Sequence, residues 1–407
     1  IIQVNTAIYR NYFVTLRIEK AIKRKIIKYY LIENKAIRMS FVITLSNTYP
    51  SKTTKGMSTR KKYTHVCIPA NVYGLMDYLL YIDEETIKNH THYFIGSEIP
   101  KEIAESLPNV TLFNTQKAGG IKLFIKQLKK IFLSIFSHII YPELRTAKIY
   151  AQDHQPLAQI LIQKRNYTLL PDSAYYKIIL REGGLARKII SEKQHSLKGK
   201  IEKFLYGELS INYWGLNNQC TEVLFIHDEK IKEYEGKKIT VNTFNKLWQN
   251  STPTKQRFIR QCFAIEDKDI SDYSGADIVV LTQPFYNDGA ITVAEQIDLY
   301  KNILEQYKEE NIILKPHPRD KTDYSTLQRQ YKCKIVKSHI PTELLALIGV
   351  NIKTAVTFFS SSVYIFNQYS KIIWLGTEDF PALKAEFGAM EAKIINPEKE
   401  NYNNDFE

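Results

Sequence analysis

The chain has 407 residues, 44% of them apolar and 24% charged. That length gives two or three domains with real cores, and the composition excludes collagen, a coiled coil and wholesale disorder. Without a run of 18 uninterrupted apolar residues, no transmembrane helix is expected.

The net charge of +13 points to a nucleic-acid partner only until it is mapped. Residues 1–62 hold 14 of the 56 basic and 2 of the 43 acidic residues, which leaves 42 and 41 for the rest. The body is neutral, so no nucleic-acid partner is expected for it. The basic segment begins without Met, and Met39 and Met57 lie further in. Ala21 to Ile32 sets Ile22, Ile26, Ile27, Tyr30 and Leu31 among lysines. No signal-peptide pattern follows. Three readings stay open: sequence upstream of the true start, a helix on an anionic membrane, or a nucleic-acid arm. Ser51 to Lys62 reads as a polar linker. Cys67, Cys220, Cys262 and Cys333 are far apart with no CxxC. They suit neither zinc nor a disulfide framework, and buried thiols in a reducing cytosol are expected.

Strands and helices then alternate. Tyr63–Pro69 reads as a strand, Tyr73–Ile82 as a helix, His92–Ile95 as a strand, Lys101–Ser106 as a helix and Val110–Phe113 as a strand. Lys122–Ile140 has helical period with a basic side at Lys122, Lys126, Lys129 and Lys130. Lys148–Ala151 is a strand, Gln155–Gln163 a helix, and Tyr167–Leu170 a strand ending at Asp172. In the middle, Asn212–Asn217 is an aromatic loop, Glu222–His227 a strand, and Phe244–Gln249 and Pro253–Cys262 are helical. A second unit opens with the strand Asp277–Thr282 and the turn Asn287-Asp288-Gly289. A long helix spans Ala290–Glu309, with Thr292 and Glu295 as a capping box. The strand Asn311–Lys315 ends at Pro316-His317-Pro318-Arg319. Then come the strand Lys334–Val336, the helix Pro341–Ile348, the strand Ala355–Phe359 into Ser360-Ser361-Ser362, and the last strand, Lys371–Leu375. The βαβ rhythm predicts parallel sheets in two α/β halves facing a cleft. The domains are expected as 1–62 (extension and linker), 63–265 and 266–407.

Ligands in open α/β sheets bind beyond the carboxyl ends of the strands. Asp172, Asp288, His317 and Ser360–Ser362 stand there. Two prolines stiffen the turn at His317, and Lys315 and Arg319 put positive charge beside it. An imidazole of near-neutral pKa can protonate a leaving phosphate oxygen. Serine hydroxyls and free amides at a helix start suit phosphate, or simply cap the helix. Asp288 suits a general base or a plain Asp-Gly turn. Glu343 suits ribose hydroxyls or the helix dipole. Walker A, HExxH, GxSxG and GxGxxG motifs are absent. That argues against P-loop NTPases, metalloproteases, α/β-hydrolases and simple dinucleotide dehydrogenases.

Lys-Pro-His-Pro-Arg (315–319), Ile-Pro-Thr-Glu (340–343) and Phe-Phe-Ser-Ser-Ser (358–362) together resemble the donor half of bacterial sialyltransferases of glycosyltransferase family 52. That family holds lipooligosaccharide and capsular enzymes. Bacterial polysialyltransferases share the His-Pro and Ser-Ser motifs. The resemblance covers about residues 63–380. It implies a GT-B fold, two Rossmann-like domains around a cleft, and inverting transfer from CMP-sialic acid without a metal or other cofactor. It further implies His317 as acid, Asp288 as base, Ser361 and Ser362 on the phosphate and Glu343 on the ribose. Lys315, Pro318, Arg319 and Ser360 would complete the donor site. An acidic pair followed by Gly, frequent in the family, reads here as Leu170-Pro171-Asp172-Ser173. That favours Asp288 as base and leaves Asp172 for the acceptor side.

The expected partners are CMP-sialic acid and a glycan acceptor of the cell envelope. A lipid-linked acceptor would place the enzyme in the cytoplasm, peripheral on the inner face of the cytoplasmic membrane. A homodimer stays open. The alternatives are a polysialyltransferase, a CDP-glycerol glycerophosphotransferase, and a non-catalytic binding protein using the basic segment.

Overall fold

The structure is a computed structural model. It describes residues 62–115, 130, 132–134, 136–172, 180, 185–225, 231–367 and 369–397. The first sheet takes its strands from the earlier half. In chain order come β1 (His65–Ile68), α1 (Val72–Tyr81), β2 (Thr91–Gly96), α2 (Lys101–Ser106), β3 (Val110–Phe113) and β4 (Lys148–Ala151). They are followed by α3 (Pro156–Ile162), β5 (Tyr167–Leu169), α4 (Leu185–His195), α5 (Leu197–Tyr206), β6 (Cys220–Phe225) and β7 (Lys238–Val241). The order is β3-β2-β1-β4-β5-β6-β7, and every pairing is parallel. Short apolar strands such as Val66-Cys67-Ile68 are buried on both faces, as helix-covered parallel sheets require.

Three helices, α6 (Phe244–Gln249), α7 (Pro253–Cys262) and α8 (Asp267–Ser274), lead to the second sheet. That sheet is built with β8 (Ile278–Leu281), α9 (Val293–Glu305), β9 (Ile312–Lys315), α10 (Ser325–Tyr331), β10 (Lys334–Ile335) and α11 (Thr342–Leu347). It ends with β11 (Thr354–Thr357), β12 (Lys371–Trp374), α12 (Pro381–Phe387) and β13 (Lys393–Ile395). The order is β10-β9-β8-β11-β12-β13, parallel except for β13 on β12. Helix α6 packs on both α1 and α11, and α7 on α1 and α2. Helices α1 and α2 follow the carboxyl ends of β1 and β2, and α11 follows that of β10. The two sheets therefore meet through elements at their carboxyl edges, and one hydrophobic cluster includes Tyr150 and Leu224 of the first and Val279 and Ile313 of the second.

The two parallel α/β sheets are as expected from the sequence. Several elements differ. The helix read as Ala290–Glu309 covers Val293–Glu305, although Thr292 and Glu295 do form the capping box. β12 is followed by β13, so it is not the last strand. The four cysteines are free and buried, and burial pushes the thiols of Cys220 and Cys262 up to about 12. Residues 130, 132–134 and 136–140 of the basic segment 122–140 are helical. Lys122, Lys126, Lys129 and Ala21–Ile32 lie outside the described residues, as does the linker up to residue 61.

Helix α1 is buried from Val72 to Leu80, including Asp77. Asp77 Oδ2 has no hydrogen-bond partner among the described residues, and burial raises the carboxyl to about 7. The native state thus holds a proton that the unfolded chain releases between pH 4 and 7, so this residue's contribution falls as pH rises through that window. Asp77→Asn is expected to raise the melting temperature at pH 8 and to change it little at pH 5, as thermal unfolding in the two buffers will show.

Candidate active site

Each sheet has a switch point where strand order reverses, between β1 and β4 and between β8 and β11. Crevices that take ligands open there. At the second, Thr282 and Asp288 follow β8, His317 follows β9, and Ser360–Ser362 follow β11.

The turn after β9 is closed by the Asp320 amide, which donates to the His317 carbonyl at 2.8 Å. The His317 amide donates to Thr282 Oγ1 at 3.2 Å. The Arg319 amide donates to His317 Nδ1 at 3.1 Å. Nδ1 is therefore an acceptor, and the ring proton belongs on Nε2. Burial, with the charges of Arg319 and Lys315 adding to it, lowers the imidazole to about 4. The near-neutral histidine expected from the sequence is thus corrected: the ring is neutral at pH 7.

Asp288 sits before Gly289, whose φ of +84° suits glycine. Both carboxylate oxygens accept from the Arg319 guanidinium, at 2.5 and 3.2 Å. Asn287 Oδ1 accepts from the Lys321 amide at 2.9 Å, which stitches the 287–289 turn to the His317 turn. Arg319 is exposed, as is Pro318.

A second group lies beside the first. Lys315 does not offer its charge to solvent beside His317, as the sequence suggested. It is buried and donates to the carbonyls of Pro316 and Ser338, at 2.5 and 3.0 Å. Burial lowers its pKa to about 7 against the pull of Glu343 and Asp320. Glu343, in the first turn of α11, is buried and raised by that burial. Its own amide, the Ser362 hydroxyl and the Lys315 charge oppose the shift. The structure thus brings Lys315, Glu343 and Ser362 together from three strand ends. Ser361–Phe366 is a 3-10 helix and not an α-helix, and the Ser360 amide donates to Thr357 Oγ1 at 3.0 Å.

The sequence reading missed Asp320. Its buried carboxylate accepts from Thr282 Oγ1 at 2.5 Å, Tyr324 Oη at 2.8 Å, Gln296 Nε2 at 3.1 Å and the Thr322 amide at 3.0 Å. The available signal was a Thr closing an apolar strand, with an acid immediately after the His-Pro-Arg turn.

At the first sheet, Asp172 accepts from Asn71 Nδ2 at 2.6 Å and faces His154 Nε2 at 3.7 Å. Asn71, Gln152 and His154 were not read from the sequence. No hydrogen bond or ion pair among the described residues joins Asp172 to His317 or Asp288. Among the described residues, no three His, Cys, Asp or Glu side chains gather to hold a metal, and no helix is long and apolar enough to cross a membrane.

The two mainly parallel α/β sheets agree with the GT-B fold expected from the sequence, and the comparison with family models supports a glycosyltransferase. The sequence model of Glycosyltransferase family 52 matches residues 184–373, and the resemblance read from the motifs is borne out over that span. The match takes in β6 through β11, all of β12 but Trp374, and Asp288, Lys315, His317, Arg319, Glu343 and Ser360–Ser362. An uncharacterized protein of Haemophilus influenzae is 26% identical over 282 residues, 69% of this chain and 85% of that protein. Among solved structures, a 2,6-sialyltransferase of Photobacterium sp. JT-ISH-224, in complex with CMP and lactose, is 13% identical with a TM-score of 0.47. That likeness covers 75% of this chain and 69% of the other. The GT-B domain of a Photobacterium damselae sialyltransferase is 11% identical with a TM-score of 0.46, covering 74% and 87%. A UDP-GlcNAc 2-epimerase of Methanocaldococcus jannaschii is 12% identical with a TM-score of 0.42, covering 80% and 87%.

Asp320→Ala would leave four donors without their acceptor in a buried site and is expected to cost about 2–4 kcal/mol of stability. Urea unfolding measures it, and a loss below about 1 kcal/mol would show the network to be dispensable.

Proposed function

We propose that the chain is an inverting sialyltransferase that moves sialic acid from CMP-sialic acid to a hydroxyl of a cell-envelope glycan, with no metal. The observation that carries this reading is the joining of the His317 turn and the Lys315–Glu343–Ser362 group at one switch point, within the family 52 match.

In the proposed step the bond from the anomeric carbon to the CMP phosphate oxygen breaks. A bond from that carbon to the acceptor oxygen forms on the opposite face. The acceptor proton goes to Asp288, and the electron pair leaves with CMP. The phosphate needs little help, because a phosphate monoester's second pKa is near 6. His317 suits it as a neutral hydrogen-bond donor through Nε2. Full protonation would set an Nδ1–H against the Arg319 amide. A neutral imidazole that polarises a developing oxyanion is a workable catalyst. Ser361 and Ser362 would hold the phosphate, and Glu343 the ribose. Asp288 cannot accept a proton while Arg319 occupies both oxygens, so the arriving anionic donor would draw Arg319 away. Lipooligosaccharide and capsular glycans are the proposed acceptors, with the acceptor chain on a lipid and the enzyme on the inner membrane face.

CMP release from CMP-sialic acid with lactose present is the test. Turnover is expected to resist EDTA and to fall about 100-fold or more in His317→Ala and in Asp288→Asn. Release from CDP-glycerol with none from CMP-sialic acid would instead establish a glycerophosphotransferase.

A further inference from the structure

One buried group at the second switch point has no part in the proposed step. Lys315 ends β9, and it is 3% exposed. Its Nζ turns back onto two main-chain carbonyls, that of Pro316 at 2.5 Å and that of Ser338 at 3.0 Å. These carbonyls belong to two different loops of the donor side. Pro316 directly precedes His317. Ser338 lies in the loop that leads from β10 into α11, which carries Glu343 in its first turn. That loop is pinned from its other side, where Lys337 Nζ donates to the Ala264 carbonyl at 2.9 Å and to Asp269 Oδ2 at 2.8 Å. Buried carbonyls need donors. The Lys315 amine is therefore a tie between the His317 turn and the start of α11.

The number of hydrogens on that amine matters. A neutral amine has two, and the two carbonyls take both. An ammonium has three, and the third has no hydrogen bond or ion pair among the described residues. Glu343 on α11 and Asp320 on the turn after β9 attract the charge from beyond ion-pair distance. The oxygens of Asp320 are already taken by Thr282, Tyr324, Gln296 and Thr322. His317 on the same turn and His339 on the loop before α11 are repelled by a charged Lys315. A buried charge without a close partner is unfavourable. Burial accordingly lowers the amine to about 7, and above that pH the neutral form prevails in the empty site.

A bound phosphate reverses this balance. In the proposed function it rests on Ser361 and Ser362, and Ser362 bonds to Glu343, the strongest attraction that Lys315 feels. Added negative charge in a place poor in water favours the charged amine. Hydrogen bonds from an ammonium to the two carbonyls are also stronger than those from an amine.

We propose that Lys315 does not touch the donor but takes up a proton from solvent when the CMP phosphate binds, and so locks the His317 turn to the start of α11 through the Pro316 and Ser338 carbonyls. The proton returns to solvent when CMP leaves. Lys315 is a positioning residue in this arrangement. The inference rests on the sialyltransferase reading and deepens it, with the tightness of the donor site linked to pH.

The experiment is titration calorimetry of the full chain with CMP at pH 8, in two buffers of different ionisation enthalpy, with cytidine beside it. CMP is a dianion at that pH and brings no proton of its own. The wild type is expected to take up about half a proton per CMP and none with cytidine. Binding that takes up a proton weakens as pH rises, so CMP affinity is expected to fall about fivefold from pH 7 to pH 8.5. Lys315→Met is expected to lose both the uptake and this pH dependence. Lys315→Arg keeps donors and a permanent charge, and is expected to bind CMP without uptake. Thermal unfolding checks that each variant is folded. A wild type that binds CMP without taking up a proton overturns the proposal whatever the variants do. So does equal uptake with cytidine. Uptake that persists in Lys315→Met places the proton on another group, Glu343 first among them, and overturns it as well. CMP release from CMP-sialic acid is measured alongside. Its absence overturns the sialyltransferase reading itself, and this inference with it.

Discussion

Four donors converge on the buried carboxylate of Asp320. One comes from the end of β8, one from α9, and two from the approach to α10. Placing a carboxylate in such a site is unfavourable unless its lone pairs are filled, and here they are. The result is a fixed point from which the His317 turn is built. Thr282 gives its proton to Asp320 and so presents a lone pair to the His317 amide. The Asp320 amide closes the turn on the His317 carbonyl, and the Arg319 amide then reaches Nδ1. The direction of one imidazole proton thus follows from a carboxylate that need never touch a ligand.

The same economy recurs at the first sheet, where buried Gln152 holds the loops after β1, β4 and β5. Each sheet has a buried polar side chain, Gln152 or Asp320, bonded to the loops at its switch point, and a partly exposed one, Asp172 or His317, on those loops. Charge is treated alike at Lys315 and Glu343. Lys315 and Glu343 are both taken out of water, and burial lowers the amine and raises the carboxyl. The exposed charge is that of Arg319, parked on Asp288. Under the proposed function, an anionic donor entering the crevice would compete with the Asp288 carboxylate for this guanidinium, and its arrival would free the proposed base.

Much of this was legible in the sequence, for definite reasons. Strands such as Ile278–Leu281 and Ile312–Lys315 are short apolar runs between polar turns, and their ends mark the crevice. The Thr292–Glu295 box declared its helix. His317, Ser362 and Glu343 were singled out because they stand in short motifs just beyond strand ends, and the structure places them there. What escaped was what depends on contact. Lys315 looks exposed in a Lys-Pro-His-Pro string, and only packing shows its amine turned inward onto two carbonyls. Asp320 looks like one more surface acid until four donors are seen around it. Leu185–Tyr206 has helical spacing at Leu185, Ile189 and Ile190 and again at Leu197, Ile201 and Leu205, which the sequence reading passed over among the lysines, and Lys393–Ile395 is only three residues at an edge. Asn71, Gln152 and His154 are single polar residues in separate loops, joined only by the strand order.

The proposed function turns on His317 as a neutral imidazole with its proton on Nε2, held so by the Arg319 amide. Nitrogen-15 NMR of the histidine rings, with His317→Gln to assign the signal, reads tautomer and charge directly. The expected spectrum at pH 7 shows a neutral His317 protonated on Nε2, both alone and with CMP, and titration of the free protein only near pH 4. An Nδ1-protonated ring, or an imidazolium at pH 7 once CMP is bound, would contradict the account and return His317 to the role of a full proton donor.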